Sequence, residues 1–309
     1  MSWTRPRALK PGDLLGICAP AGAVDMPRLQ RGVARLEQMG FRVRVGDAVG
    51  ERDLFTAGTI ERRLQDLRAL WDDEEVAAVV CARGGAGAGW LLPHLDAERF
   101  RARPKPFVGY SDITFLHLLF NRLELVTFHG PMVAWEFAED RYDEASWRAA
   151  LYAGGKPYAS EGGDLVPLRE GRAEGRLLGG CLSILSAAAG TPWALRPDPA
   201  GTILFLEDVD EKPHKVDRML LQLRLTGALD SVKGIVLGDM KGCNPPASAE
   251  FTLEDVIRES LSGLDIPIAL GLSSGHATAP NITLPLGVRA RLSCHGEEAR
   301  FEVLEASVA

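Results

Sequence analysis

The sequence has 309 residues, a formal net charge of −7, and hydrophobic and charged fractions of 46% and 25%. This length and composition are typical of a globular protein with two domains. The acidic balance argues against a nucleic-acid partner, because proteins that bind nucleic acids usually present a basic patch or stripe.

The cysteines and the apolar stretches indicate where the protein works. The cysteines are Cys18, Cys81, Cys181, Cys243 and Cys294. They are widely spaced and odd in number, which is neither a disulfide framework nor a zinc pattern and favours a reducing compartment. The polar start of the chain shows no signal peptide, and no stretch approaches the about 20 apolar residues of a membrane span. We therefore expect a cytoplasmic protein with no membrane partner.

The first half of the chain alternates short apolar runs with helical patterns. Strands are predicted at 13–19, 41–45, 76–81, 106–109 and 125–128, and helices at 27–39, 60–71 and 113–121. Such alternation is typical of βαβ units. We therefore predict an α/β fold whose first domain has a mostly parallel, flavodoxin-like sheet with flanking helices.

A polar, glycine-rich segment at 142–172 separates this half from a second α/β pattern. The second half predicts strands at 173–178, 202–206, 234–238 and 267–270, helices at 181–189, 213–225 and 253–262, and a terminal hairpin at 289–303. We accordingly place the first domain at 1–150, a linker at 151–172 and the second domain at 173–309.

Ser111 stands where a predicted strand meets a predicted helix, in Gly109-Tyr110-Ser111-Asp112. A serine there would lie in the crevice beyond the carboxyl end of the sheet, where open α/β sheets bind ligands. The free N–H groups of the following helix could hold an oxyanion. The motif G-x-S-x-G is absent, because Ile113 replaces its second glycine. Alternatively, Ser111 or Asp112 simply caps the helix.

A glycine turn at 83–89 follows the predicted strand at 76–81 and should lie on the same edge of the sheet as Ser111. Glycines let the backbone approach a ligand closely and expose its N–H groups. The spacing does not match a phosphate-binding P-loop, and no lysine follows. An ordinary tight turn is the alternative.

Two further candidates follow predicted strands in the second half. Glu207 and Asp208 come after the strand at 202–206, where one acid could orient a histidine or a pair could bind metal or act as in glycosidases. A solvated acidic loop is the alternative for most of this stretch. His276 lies in a Gly/Ser-rich loop after the strand at 267–270 and could transfer protons. Its rival is His129, which also follows a strand, whereas His117 lies within the helix after Ser111 and should be structural.

Five motifs together resemble the LD-carboxypeptidase family, which includes the microcin C immunity-type amidohydrolases. They are RGGAG, GYSDITFLH, FHGPM, LFLEDVDEKPHKVDRMLLQL and GHATAPNITLPLG, in the family's order and spacing. The resemblance runs from about Pro11 to Arg291. Three positions depart from the family's usual residues: Ala86 where an aromatic residue is common, His214 where tyrosine is common, and Ala277 where glycine is common.

The resemblance implies a catalytic triad of Ser111, Glu207 and His276, divided between the two domains with the active site in the cleft between them. It implies an oxyanion hole formed by the backbone N–H groups of Gly85 and Asp112. Arg83 and Gly84 are the expected substrate-binding residues, with a structural role for Arg83 as an equal alternative. No metal and no cofactor are expected, because no ligand motif is present.

The resemblance also implies the reaction. We expect a serine carboxypeptidase that cuts an L,D-peptide bond and releases the terminal D-alanine of murein tetrapeptides during cell-wall recycling. One alternative is a related amidohydrolase that cleaves a peptidyl-nucleotide antibiotic or another amide. A second is a muropeptide-binding protein without activity. A small peptide or muropeptide is the expected substrate, and we also expect a homodimer.

Overall fold

The computed structural model describes residues 3–155, 157–160 and 165–309. Within these residues the chain divides into two compact units. The first runs to residue 155 and takes up Pro280–Gly287 and Ala306–Ala309. The second takes up 157–279 and Val288–Glu305.

The strands and helices of the described residues alternate along most of the chain. The strands are β1 (Leu14–Cys18), β2 (Arg42–Val45), β3 (Val76–Cys81), β4 (Phe107–Gly109), β5 (Thr127–His129), β6 (Val166–Arg169), β7 (Gly171–Cys181), β8 (Thr202–Glu207), β9 (Val232–Gly238), β10 (Ile268–Leu272), β11 (Leu284–Leu286), β12 (Arg289–His295) and β13 (Glu298–Val303). The α-helices are α1 (Met26–Gln38), α2 (Ile60–Asp72), α3 (Ala97–Ala102), α4 (Thr114–Arg122), α5 (Glu144–Leu151), α6 (Leu182–Ala188), α7 (Pro213–Leu225) and α8 (Leu253–Ser260). Short 3-10 helices lie at Ala88–His94 and Ser111–Ile113, and a π-helical turn at Val133–Phe137.

The first unit is built on a six-stranded sheet in the order β11-β5-β4-β3-β1-β2. Its neighbouring pairs are parallel except for β11, which is antiparallel to β5. The strands β1 and β3 are buried along their whole length, which is typical of parallel sheets covered by helices on both faces. An aromatic cluster packs within this unit, formed by Trp71, Phe100, Phe107 and Phe120.

The second unit has a seven-stranded sheet in the order β13-β12-β7-β8-β9-β10-β6. Its central strands, β7 to β10, are parallel, and β12, β13 and β6 add antiparallel pairs at the edges. The predicted α/β class and the predicted terminal hairpin are confirmed, the hairpin as the β12–β13 pair.

Two segments lie elsewhere than the sequence suggests. Within the predicted linker, β6 pairs with β10, and the Ser160 amide donates to the Phe301 carbonyl at 2.8 Å, so both belong to the second unit. Lys156 and residues 161–164 of that linker lie outside the described residues. The strand β11 returns to the first sheet, although its position in the sequence is within the predicted second domain.

The carboxyl ends of the parallel strands are the positions that matter for function. In the first unit β3 ends at Cys81, just before the glycine turn, and β4 ends at Gly109, just before Ser111. In the second unit β8 ends at Glu207 and β10 leads into the loop that carries His276. Open α/β sheets bind ligands at this edge.

Candidate active site

Ser111 has a left-handed backbone, with φ at +64°. For a residue with a Cβ atom this conformation costs about 1–2 kcal/mol. Such strain persists only where the surroundings hold the residue in place, and it is concentrated at functional sites. The backbone of Ser111 therefore marks this strand-to-helix turn as more than a helix cap.

Buried polar side chains hold the residues before Ser111. His117 Nε2 lies 2.8 Å from the carbonyl oxygen of Gly109 and donates to it, because a carbonyl only accepts. Burial lowers the pKa of His117 to about 3, so the ring is neutral. The Tyr110 hydroxyl donates to Glu136 Oε1 at 2.7 Å. The predicted structural role of His117 agrees with this geometry.

Asp112 connects the turn at Ser111 with the glycine turn. Its side chain is 4% exposed, and Oδ2 accepts a hydrogen bond from the Ala88 amide at 2.7 Å. Burial raises the pKa of this carboxyl to about 6, against the Ala88 bond and the positive charge of Arg63, which both lower it. The Asp112 carboxylate thus bonds the end of the glycine turn at Ala88, while the Asp112 backbone directly follows Ser111 in the chain.

Glycine at position 84 allows the backbone to approach Ser111. A Cβ atom built at Gly84 would lie 2.8 Å from the Ser111 Cβ and 3.0 Å from its Oγ. Gly85 is exposed and has φ at +106°, which side chains rarely tolerate. The structure therefore places the predicted residues Gly84, Gly85, Ser111 and Asp112 in one cluster of the first unit.

Arg83 is exposed, and its Nη1 donates to the carbonyl oxygen of Ala23 at 2.9 Å. A Cβ atom at Gly85 would lie 3.5 Å from Arg83 Nη2, so the guanidinium lies beside the exposed glycine. The bond to Ala23 is of the kind expected for a structural role. A substrate-binding role for Arg83 stays a prediction.

Glu207 and His276 form the corresponding cluster of the second unit. The Glu207 side chain is 1% exposed, and its Oε2 lies 2.7 Å from His276 Nδ1 and 3.0 Å from the His276 amide nitrogen. Because a carboxylate accepts, the histidine donates from Nδ1, which leaves Nε2 as the acceptor of the neutral ring. This is the arrangement of a general base oriented by an acid.

Two glycines make room for Glu207. A Cβ atom at Gly275 would lie 2.5 Å from Glu207 Cδ, and one at Gly238 would lie 2.8 Å from Glu207 Cβ. Gly275 also has φ at +85°. Position 275 thus requires glycine for two reasons, which are its left-handed backbone and its close contact with the Glu207 carboxylate.

Asp208 is also buried, but it caps a helix, whereas Glu207 bonds His276. The burial of Asp208 is contrary to the solvated loop considered for this stretch, and its Oδ2 accepts from the Ser183 amide at 2.7 Å. Ser183 lies in the first turn of α6, so Asp208 supplies that helix with a capping carboxylate. Burial raises the pKa of Asp208.

Asp239 is a residue that the sequence analysis missed. Its Oδ2 accepts from the amide and the hydroxyl of Thr278 at 2.7 Å and 2.6 Å, and Ser273 Oγ lies 3.5 Å from its Oδ1. These bonds hold both sides of the loop that carries His276. The signal was available, because Asp239 directly follows the predicted strand at 234–238, as Glu207 follows the predicted strand at 202–206.

His129 occupies a core position in the first unit. Its side chain is buried, and its ring centroid lies 5.8 Å from that of Tyr110 and 6.3 Å from that of His117. Among the described residues there is no group of three or more His, Cys, Asp or Glu side chains that could hold a metal ion. In the same part of the chain, every helix is too short or too polar to cross a lipid bilayer.

Comparison with known proteins identifies the family. Residues 15–130 match the LD-carboxypeptidase N-terminal domain, and residues 174–292 match the LD-carboxypeptidase C-terminal domain. The chain belongs to the LD-carboxypeptidase family. The resemblance seen in its motifs is thereby confirmed.

Individual relatives cover nearly the whole chain. A probable murein peptide carboxypeptidase of Bacillus subtilis is 37% identical over 98% of this chain and 95% of its own. A structure of the microcin C7 self-immunity protein MccF in complex with aspartyl sulfamoyl adenosine is 26% identical, with a TM-score of 0.86 over 99% of this chain and 100% of that one. The muramoyltetrapeptide carboxypeptidase of Oxalobacter formigenes is 29% identical, with a TM-score of 0.82 over 95% and 99%.

The packing around Glu207 predicts different outcomes for two glycine substitutions. Gly275→Ala and Gly263→Ala both place a Cβ atom on a left-handed backbone, at φ +85° and +81°, but nothing lies within 4 Å of the Cβ at Gly263. We expect Gly263→Ala to lower the free energy of unfolding by about 1–2 kcal/mol. Gly275→Ala should cost about 1–3 kcal/mol more, because its Cβ overpacks Glu207. Equal losses in urea titrations would show that Glu207 is not confined there.

The strain at Ser111 predicts that two variants without its hydroxyl differ in stability. Ser111→Gly and Ser111→Ala both remove the hydroxyl, but only glycine tolerates the left-handed backbone without cost. We expect Ser111→Gly to be more stable than Ser111→Ala by about 1 kcal/mol. Thermal unfolding at matched pH measures the difference, and an alanine variant as stable as the glycine variant would contradict the strain.

Proposed function

We propose that this chain is a serine carboxypeptidase that hydrolyses an L,D-peptide bond and releases the terminal D-alanine of murein tetrapeptides. Ser111 is the nucleophile, His276 the general base and Glu207 the acid that orients it. The observation that carries this proposal is the hydrogen bond between the buried Glu207 carboxylate and His276 Nδ1, which prepares Nε2 to accept a proton. Membership of the LD-carboxypeptidase family supports it.

The chemistry proceeds in two halves. His276 Nε2 takes the proton of Ser111 as its oxygen attacks the scissile carbonyl carbon, and Glu207 stabilises the imidazolium that forms. The backbone N–H groups of Gly85 and Asp112 bind the oxyanion. The intermediate collapses, the D-alanine amine leaves with the proton from His276, and water then hydrolyses the acyl-enzyme by the same route. Every step is acid–base and acyl-transfer chemistry carried by side chains and backbone of the chain itself.

The proposed substrate class is inferred from the names of two relatives. The Bacillus subtilis and Oxalobacter formigenes proteins are named for murein peptides and muramoyltetrapeptides, and both align over nearly the whole chain. Such a substrate ends in a D-residue with a free carboxylate. We propose that the enzyme acts in the cytoplasm as a homodimer, in keeping with the sequence expectations.

A second candidate is an amidohydrolase that cleaves peptidyl-nucleotide antibiotics. The likeness to MccF, whose structure contains aspartyl sulfamoyl adenosine, favours it. Incubation with a murein tetrapeptide and, separately, with an aminoacyl sulfamoyl adenosine distinguishes the two by mass spectrometry. Loss of one alanine from the tetrapeptide, with the nucleotide conjugate intact, is the result expected for the leading proposal. The reverse pattern would favour the second candidate, and binding without cleavage of either would indicate a muropeptide-binding protein.

The proposed triad predicts which histidine is essential. Ser111→Ala and His276→Ala should each lose nearly all turnover, because members of a triad act as a unit. His129→Ala should lose far less activity per folded molecule, and act mainly through folding, since its ring is packed in the core. Release of D-alanine, normalised to folded protein by circular dichroism, measures this. An inactive His129 variant beside an active His276 variant would show that the base is misassigned.

The position of Arg83 predicts how the substrate carboxylate is bound. A guanidinium can receive a carboxylate with two parallel hydrogen bonds, which an ammonium does not reproduce. Arg83→Lys should therefore raise KM for the tetrapeptide, and amidation of the substrate's C-terminus should harm the wild type more than the variant. Steady-state kinetics of the four enzyme–substrate combinations provide the test. If amidation costs both enzymes the same factor, the bond from Arg83 to Ala23 is its main role.

A further inference from the structure

A buried arginine contacts the glycine turn from α2. Arg63 is 3% exposed, and its Nη1 donates to the carbonyl oxygens of Pro20 and Gly87, both at 2.8 Å. A Cβ atom at Gly87 would lie 2.6 Å from Thr56 Cγ2 and 3.0 Å from Arg63 Nη1, and φ is +117° there, so this position favours glycine. Because a buried charge is costly without partners, these two hydrogen bonds hold the guanidinium against the glycine turn.

Asp112 and Arg63 hold the same peptide unit from opposite ends. The peptide bond between Gly87 and Ala88 offers its carbonyl oxygen to Arg63 and its N–H to the Asp112 carboxylate, at 2.8 Å and 2.7 Å. Bonds in which one partner is charged are stronger than neutral ones. With a cation on its oxygen and an anion on its N–H, this peptide plane has a single favourable orientation.

We infer that the Asp112 carboxylate and the Arg63 guanidinium are positioning residues that set the glycine turn against Ser111. The inference rests on the proposed function. Asp112 directly follows Ser111 in the chain, and the peptide unit that its carboxylate holds begins two residues after Gly85. The two proposed oxyanion donors, the N–H groups of Gly85 and Asp112, are thereby joined through one side chain. Asp112 contributes a donor with its backbone and fixes the distance to the other donor with its carboxylate.

This arrangement matters because an oxyanion hole works through preorganised donors. A displacement of the glycine turn by a fraction of an ångström would weaken its bond to the developing charge while leaving most substrate contacts intact. The loss should therefore appear in kcat, with KM nearly unchanged, since the oxyanion exists only in the transition state.

The test compares Asp112→Asn with a matched control, Asp66→Asn. Asp66 is also a buried carboxylate of the first unit, its Oδ2 accepts from the Ala48 amide at 2.8 Å, and burial raises its pKa as well. Both variants should lose stability. Only Asp112→Asn should lower kcat, by about 10-fold to 100-fold, with KM within about twofold of the wild type. Asp66→Asn should keep the kcat of the wild type when rates are normalised to folded protein.

A second pair keeps the test decisive if Asp112→Asn does not fold. Arg63→Gln should lower kcat in the same manner, because it removes the cation from the Gly87 carbonyl. Its neighbour Arg62 bonds Glu51 at 2.8 Å on the surface, so Arg62→Gln should retain the wild-type kcat. A peptide boronic acid, which forms a tetrahedral adduct with a serine hydroxyl, should bind the Asp112 and Arg63 variants more weakly by about the factor lost in kcat.

The outcomes separate this inference from the proposed function. Equal kcat in Asp112→Asn and Asp66→Asn, or a loss confined to KM, would overturn the positioning role. If Ser111→Ala retains turnover, the proposed function itself fails. An inactive Ser111→Ala together with unaffected Asp112 and Arg63 variants would reject only the positioning of the glycine turn.

Discussion

The left-handed backbone of Ser111 is the constraint on which the site of the first unit depends. A residue with a Cβ atom adopts it at a cost of about 1–2 kcal/mol, which the neighbouring structure must offset. The residues on either side are each held by a buried polar group: Gly109 by His117, Tyr110 by Glu136, and Asp112 by the Ala88 amide. These bonds hold the left-handed backbone of Ser111 in place. With Ser111 in this conformation, the backbone of Gly84 approaches its side chain closely.

In the second unit, two glycines make room for a buried carboxylate, whereas the site of the first unit depends on the strained backbone of Ser111. Glu207 is a carboxylate buried at the end of a parallel strand, and the backbone N–H and ring Nδ1 of His276 both lie at its Oε2. Gly238 and Gly275 leave the space that it needs. The result is a histidine whose tautomer and orientation are set before any substrate arrives, which is what a general base requires.

Much of this could be predicted from the sequence, and the reason is burial. Continuous apolar runs such as 76–81 and 202–206 indicate parallel strands, and the chemistry-bearing residues Ser111 and Glu207 were found just after the predicted strands at 106–109 and 202–206. The strand Leu284–Leu286 was missed because three residues carry no periodic signal, and its partner β5 is far away in the sequence. Arg63 was missed for a different reason: its partners are backbone carbonyls, which leave no trace in residue types.

The function proposed for this chain depends on Ser111 being a nucleophile that the Glu207–His276 pair activates. Labelling of the intact protein with a fluorophosphonate, followed by peptide mapping, would detect this activation, because the reagent reports an activated serine without depending on the natural substrate. We expect one adduct per chain, located on Ser111, that forms far more slowly in both Glu207→Gln and His276→Ala. Labelling of another residue, or labelling of Ser111 at the wild-type rate in the two variants, would contradict it.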